Sequence, residues 1–431
     1  MRKVFNLICL MVLLTMALSL SPAAALAQSE VACDSEVVVQ ANDWLSKLAD
    51  KFYGDPLAYQ AIADATNAKN AADASYAKIE NVDVIEPGWK LCIPAHDMAQ
   101  APTAPAEAPA AADITASAMS AAPPAIAQDA TLVDYPTDPT APLVELRAGS
   151  NGWTCFPDWP ATPGNDPQCF DKAWMQWLDA LVTGTEPNIT TPGLAYMIEG
   201  GSDASNTDPL ALEPAPGEDW VTTPPHVMLL LPDKLDTTLF STDHHYGGPY
   251  VMYAGTPYEH IMMPIETAKV PQTEDKMVSA MSAAPPAIAE NATIVDYPTD
   301  PTAPLIELRV GSNGWTCFPD WPATPGNDPQ CFDKTWMEWF NALVSGTEPN
   351  ITEPGLAYML QGGSDPSNTD PLALEPAAGE DWVTTPPHVM LLLPGKLDLT
   401  LFSTDHHYGG PYVMFAGTPY EHIMMPVSEI K

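Results

Sequence analysis

Basic side chains are scarce: 16 Lys and Arg stand against 55 Asp and Glu, a net charge of −39. A surface of that sign repels nucleic acid and anionic lipid, so neither is an expected partner. It suits a solvated exported protein, or one that meets cations. Long apolar runs are missing too. After the N-terminal segment no stretch approaches about 18 uninterrupted apolar residues, so nothing there reads as a membrane span. There is no Cys-x-x-Cys pair, the usual zinc–thiolate spacing. There is also no Gly-x-Ser-x-Gly, the nucleophile elbow of many serine hydrolases.

What is present begins with Arg2 and Lys3 ahead of the apolar run Leu7 to Leu20 and the small-x-small triplet Ala25-Leu26-Ala27. This is the pattern of an export leader, residues 1–27, with no membrane segment left once it is cleaved. The expected location is outside the cell, secreted or held at the wall. Of seven cysteines, Cys9 falls in the leader and six remain. An even set in an oxidising compartment reads as disulfides, with Cys33–Cys92, Cys155–Cys169 and Cys317–Cys331 as the simplest local pairing. Closing a loop of about 15 residues contributes roughly 3 kcal/mol in the chain-entropy view.

Residues 28–96 form the first module. Val37 to Gln40 is a short β-type run, and Asn42-Asp43 offers a turn and an N-cap. Leu45, Leu48, Ala49 and Phe52 then share one helical face. A second helix carries Tyr59, Ile62 and Ala63 inward, and Glu86-Pro87-Gly88 turns the chain into the strand Lys90 to Pro94. Strand, helix, helix, strand in so few residues leaves a small core, where a Cys33–Cys92 bridge makes physical sense. The stretch Val-Val-Val-Gln-Ala-Asn-Asp-Trp-Leu-Ser-Lys-Leu-Ala-Asp-Lys-Phe-Tyr-Gly-Asp at 37–55, Asn67, and Ile-Glu-Pro-Gly-Trp-Lys-Leu-Cys-Ile-Pro at 85–94 resemble the LysM domain. That resemblance covers about one seventh of the chain. It implies binding of N-acetylglucosamine units of peptidoglycan or a related glycan in a shallow groove. The implied groove residues are Asn42, Asp43, Trp44 and Leu45 on one side, and Ile85, Glu86 and Pro87 on the other.

An Ala/Pro-rich string, residues 97–128, reads as a tether. Beyond it the chain repeats itself: Met119 to Ile265 returns as Met281 to Val427, a shift of 281 − 119 = 162 positions, with about 20 differences over about 147 positions. That is a tandem duplication of a whole domain. Repeat domains are expected at 129–266 and 291–428, joined by a second linker at 267–290, like beads that raise avidity if each binds weakly.

Within one repeat, Leu143 to Arg147 alternates as a strand does, and Trp153 to Gln168 is an irregular loop closed by Cys155 and Cys169. Asp171 is a good N-cap for Lys172 to Val182, whose Trp174, Trp177, Leu178 and Leu181 make one apolar stripe; Gly184 ends it. Asp203, Asn206 and Asp208 lack the EF-hand spacing and read as an Asx-rich turn. Further strands fall at Gly193 to Glu199, His226 to Leu231, Tyr250 to Ala254 and Glu259 to Met263. The expected class is a multidomain α+β protein: a small β-α-α-β module and two near-identical, mostly antiparallel domains. Asn-Gly-Trp-Thr-Cys at 151–155, Trp-Met-x-Trp at 174–177 and Gly-Thr-Pro-Tyr-Glu-His at 255–260 resemble a domain of secreted bacterial proteins, a likeness that implies no particular reaction.

The histidines concentrate the chemistry. In a strand, residues two apart share a face, so His226 points with Met228 and His260 with Met262. Imidazole and thioether together suit copper, whereas His244 and His245 with Asp243 or Glu259 suit zinc. The second copy offers His388, Met390, His406, His407, His422 and Met424. Core packing of the same residues is the plainer reading. A cell-wall hydrolase is the catalytic alternative. It would draw on Ser241, His244 and Asp243, or on carboxylates such as Glu186, Glu213 and Glu218, while Glu199 becomes Gln361 in the second copy.

Overall fold

The computed structural model describes residues 33–40, 45–53, 59–79, 85, 87–94, 111–136, 141–232, 234–267, 272–300 and 303–427. The expected leader, the groove residues Asn42, Asp43, Trp44 and Glu86, and the tether before residue 111 lie outside them. The chain divides into one unit up to Ala108 and another from Pro109 onward.

In the first unit, β1 (Cys33–Val38) pairs antiparallel with β2 (Lys90–Pro94), and the helices Leu45–Tyr53 and Tyr59–Ala72 lie between them in the chain. The apolar faces read from the 3.6-residue period meet in one core: Leu45, Leu48, Ala49, Ile62 and Ala63 pack with Leu91 and Ile93. The Cys33–Cys92 disulfide joins the two strands. Asn67 holds the return loop, its side chain both donating to and accepting from the backbone of Ile79.

In the second unit each repeat contributes ten strands. The first has β3 (Thr131–Asp134), β4 (Val144–Arg147), β5 (Thr154–Phe156), β6 (Gln168–Phe170), β7 (Gly193–Met197), β8 (Gly201–Asp203), β9 (Val221–Thr223), β10 (His226–Leu230), β11 (Tyr250–Met252) and β12 (His260–Pro264). Eight of them form one sheet in the order β11-β12-β10-β7-β6-β5-β3-β4, while β8 and β9 pair apart. The pairs are antiparallel except β3 with β5. The second copy reproduces this order, from Thr293–Asp296 to His422–Pro426. Both disulfides of the repeats, Cys155–Cys169 and Cys317–Cys331, bridge directly opposed residues of antiparallel strands.

Both faces of the sheet are covered, which is why its central strands read as continuous apolar runs. On one face Met228, Leu230, Met262, Phe156 and Phe170 pack against Trp174 and Trp177 of the helix Lys172–Thr183. Asp171 starts that helix by accepting from Trp174 N, and Gly184, at φ 66°, ends it. The tryptophans are core.

On the other face Val227, Leu229, Ile261 and Met263 join a cluster that also contains Val389, Leu391, Ile423 and Met425 of the second copy. The two repeats therefore share one core and are not independent beads. The expected linkers are part of it. Ala111–Ser120, Pro124–Ala127, Lys276–Met281 and Pro286–Ala289 are helices, and Ala118, Ala121, Ile126, Ala280, Ala283 and Ile288 are completely buried. Alanine is the best helix former, and Pro124 sits in the first turn, where a missing N–H costs nothing. Arg147 donates to the carbonyls of Ala127 and Ala130, and Asn151 to that of Ile126, pinning the short helix in place.

The contact between copies is reciprocal. A Cβ on Gly247 would fall 2.8 Å from Ala287 Cβ, and one on Gly409 would fall 2.6 Å from Ala125 Cβ. Gly248 abuts Ile288 as Gly410 abuts Ile126. Tyr246 hydrogen-bonds to Asn313, and Tyr408 to Trp153. Each copy thus offers the same loop and the same helix to its twin, the self-complementary arrangement of a two-fold dimer carried within one chain.

Candidate functional site

In the first unit the residue just after β1 pairs with the residues just before β2. Val39 N donates to Trp89 O at 2.9 Å, and Gly88 N donates to Val39 O at 2.9 Å. Of the expected groove residues that are described, Leu45 is buried in the core, Ile85 is partly buried against it, and Pro87 is exposed. Trp89, part of the quoted motif but absent from the expected groove set, is half-buried beside Val39. A partly exposed indole at such a junction presents a flat apolar face to which a sugar ring can stack.

In the repeats, β10 and β12 are neighbours, and Met228 lies directly opposite Met262. The two imidazoles fall on opposite sides of that pair along the ladder. His226 stands opposite Pro264, and His260 stands opposite Met252 on β11. His260 is enclosed edge-on by Trp174, Trp177 and Tyr253, with ring centroids 5.0–5.5 Å away. Its Nδ1 donates to Tyr258 O at 3.0 Å, and His226 Nδ1 donates to Pro224 O at 2.7 Å; a carbonyl only accepts, so Nδ1 carries the proton in both. Burial pushes both rings down to about 4, keeping them neutral. His388, Met390, His422 and Met424 repeat the arrangement.

Glu259 is committed elsewhere: its two oxygens accept from Leu235 N and Gly255 N, clamping two loops together. Ser241 Oγ accepts from the backbone N of Asp243. Its hydroxyl donates in turn to Asp243 O at 3.5 Å, the arrangement of a capped turn. Glu186, Glu199, Glu213 and Glu218 are all exposed. His244 and His245 do come together with Asp243. One ligand atom from each lies within 4.8 Å of the others, and Asp405, His406 and His407 do the same.

A cavity of about 360 Å³ opens nearby, lined by Gly164, Asn165, Glu199, Gly200, Gly201, Ser202, Thr222, Thr223 and Pro224. A Cβ on Gly164 would meet Ser202 Oγ at 2.4 Å, so a side chain there would make the serine hydroxyl turn away. Ser202 Oγ and His226 Nε2 are buried with no hydrogen-bond partner in the protein, as are Ser364 Oγ and His388 Nε2. Behind the cavity, burial pushes Asp203 up to about 7, and the neighbouring Asp166 charge adds to it; Asp166 itself is raised to about 6 by burial. Such a pair takes up and releases protons near neutral pH. Tyr253 donates to Asp203 at 3.4 Å from a left-handed backbone, φ 55°, held there by a bond from its N to Asn206 O. In the second copy Phe415 stands in its place and Gln361 replaces Glu199, so the equivalent positions differ in chemistry. The turn at 203–208 behaves as its Asx residues suggested: Ser205 Oγ accepts from Thr207 N and Asp208 N, and Asp208 from Leu210 N. That Asp203 turns inward could not be read from the same residues.

No protein-family model, curated protein or solved structure matches this chain. The geometry defines a disulfide-bonded α+β protein with a duplicated domain, a coarser description than any one activity. The disulfides fit an extracellular setting, and among the described residues no helix is long and apolar enough to cross a membrane.

Proposed function

We propose that this is an exported, non-enzymatic protein whose first module binds N-acetylglucosamine glycan of peptidoglycan type and thereby displays the duplicated body at the cell wall. The observation that supports this reading is the pair of backbone bonds between Val39 and Gly88–Trp89, which joins the chain just after β1 to the chain just before β2. Sugar recognition by such a groove rests on an apolar ring face and on backbone groups at its rim. Trp89 supplies the former.

Sedimentation with purified peptidoglycan tests the proposal. The full chain is expected in the pellet and to be released by soluble N-acetylglucosamine oligomers. Trp89→Ala is expected to weaken retention by roughly tenfold, the loss of about 1–1.5 kcal/mol of aromatic contact. A chain that stays in the supernatant under all conditions removes the reading.

A further inference from the structure

We infer that the loop from Ser241 to Gly248, and its copy from Ser403 to Gly410, each chelate one divalent first-row transition ion through Asp243, His244 and His245, and through Asp405, His406 and His407. The inference is independent of glycan binding. It narrows the histidine chemistry of the sequence to three consecutive residues, and it excludes the buried His226 and His260.

Three features carry it. The first is distance. A first-row ion holds nitrogen and oxygen at about 2.0–2.2 Å, so neighbouring donor atoms must come within roughly 3–3.5 Å of each other. His245 Nδ1 and Asp243 Oδ1 are already 3.2 Å apart, and the two imidazole centroids are 3.9 Å apart. All three donors fall within 4.8 Å, and rotation of exposed side chains closes the remainder.

The second is the scaffold. Asp243 Oδ1 accepts from His245 N at 2.9 Å and fixes a single 3-10 turn; Asp243 N donates to Ser241 Oγ at 3.0 Å. Gly247, at φ 74°, closes the turn in a left-handed conformation that a side chain would resist. Three consecutive donors are therefore held on one turn by its own backbone.

The third is the donor set. Two imidazoles and one carboxylate favour zinc, copper or a similar ion over calcium or magnesium, which prefer all-oxygen sets. Three protein donors on an exposed turn leave coordination positions open to water or another molecule.

The site also has a mechanical link. Gly247 and Gly248, at the end of the same turn, rest on Ala287 and Ile288 of the other copy, and Tyr246 bonds to Asn313. An ion that fixes residues 243–245 fixes the turn on which the twin repeat sits, so binding stabilises the shared core by mass action.

The test uses the full chain, stripped with a chelator and dialysed against zinc or copper(II) with excess calcium and magnesium to occupy exposed carboxylates. Two ions per chain are expected by elemental analysis, with a rise in Tm of about 5 °C at a hundredfold excess over Kd. His244→Gln with His245→Gln should leave one ion. Adding His406→Gln and His407→Gln should leave none and abolish the rise in Tm, with far-ultraviolet circular dichroism unchanged because none of the four side chains lies in the buried core. No stoichiometric ion in the native chain, or two ions retained by the four-histidine variant, overturns the site. Stoichiometric binding without a rise in Tm overturns its link to the twin repeat.

Discussion

Asp203→Asn is expected to stabilise the protein most at pH 8 and by less than half as much at pH 5. Burial raises the Asp203 carboxyl from 3.8 to about 7, with the Asp166 charge adding to the effect. A folded pKa above the unfolded one means that the folded state holds the proton more tightly. Stability from this group is therefore full only below the unfolded value of 3.8 and is lost progressively as pH rises from there through about 7. At pH 8 a shift of this size corresponds to roughly 4 kcal/mol against the ionised form; allowing for the residual exposure of Asp203, the gain on substitution is about 2–3 kcal/mol. Asparagine is neutral at both pH values, and its carbonyl can still accept from Tyr253. Asp365→Asn should behave alike, since Asp365 is also raised to about 7 by burial and the nearby Asp328. Asp171→Asn is the control of opposite sign. Its two oxygens accept from Trp174 N and Leu194 N, so an amide nitrogen facing a backbone N–H should cost about 1–3 kcal/mol. Thermal melts of each variant against the parent at the two pH values decide it, and equal shifts at pH 5 and pH 8 for Asp203→Asn would falsify the titration account. The buried His226 and His260, pushed down to about 4, act in the other direction: their contribution is lost as pH falls from about 6.5 toward 4.

The second large effect lies at the interface between copies. Ile126 and Ile288 are completely buried, each against a glycine of the opposite repeat. Ile126→Ala or Ile288→Ala should cost about 2–5 kcal/mol, the range for deleting a buried aliphatic side chain. Where that loss appears is the sharper expectation. Tethered beads would show two calorimetric transitions, with only the altered repeat melting early. A shared core predicts one transition from the unit beginning at Pro109, moved to lower temperature as a whole by either substitution. Gly410→Val approaches the same contact from the other side. Its Cβ would meet Ile126 Cγ1 at 3.1 Å and Tyr408 Cε1 at 2.7 Å, and overpacking of that kind costs about 1–3 kcal/mol. Retention of two separate transitions in the native chain would contradict the common core.

Much of the architecture was legible from the residues because local chemistry dictated it. The helix Lys172–Thr183 announced itself through Asp171, Gly184 and a stripe with helical period. Short loop lengths within each repeat set the local disulfides, whereas the pairing of β10 with β12 came only from the tertiary structure. Duplication was plain at any level of reading. The Ala/Pro segments were misread for a physical reason: alanine carries no pattern of polarity, so a buried small-residue helix and a solvated tether have the same composition. Only the presence of a surface to cover distinguishes them, and that surface belongs to residues far along the chain.

The same limit governs the sites. Consecutive residues on one turn, Asp243 to His245, were visible as neighbours, and the tertiary fold kept them so. Whether His226 could meet His260 depended on register across a ladder, and the register set Pro264 and Met252 opposite them instead. Asp166 and Asp203 stand 37 residues apart (203 − 166 = 37), and only tertiary packing brings their charges close enough to perturb each other. By itself the sequence determined the elements, the duplication and the disulfides, because these depend on short-range propensity and on repetition. The tertiary structure decided that the twin domains share a core and which polar groups are buried together, because burial depends on what packs from a distance.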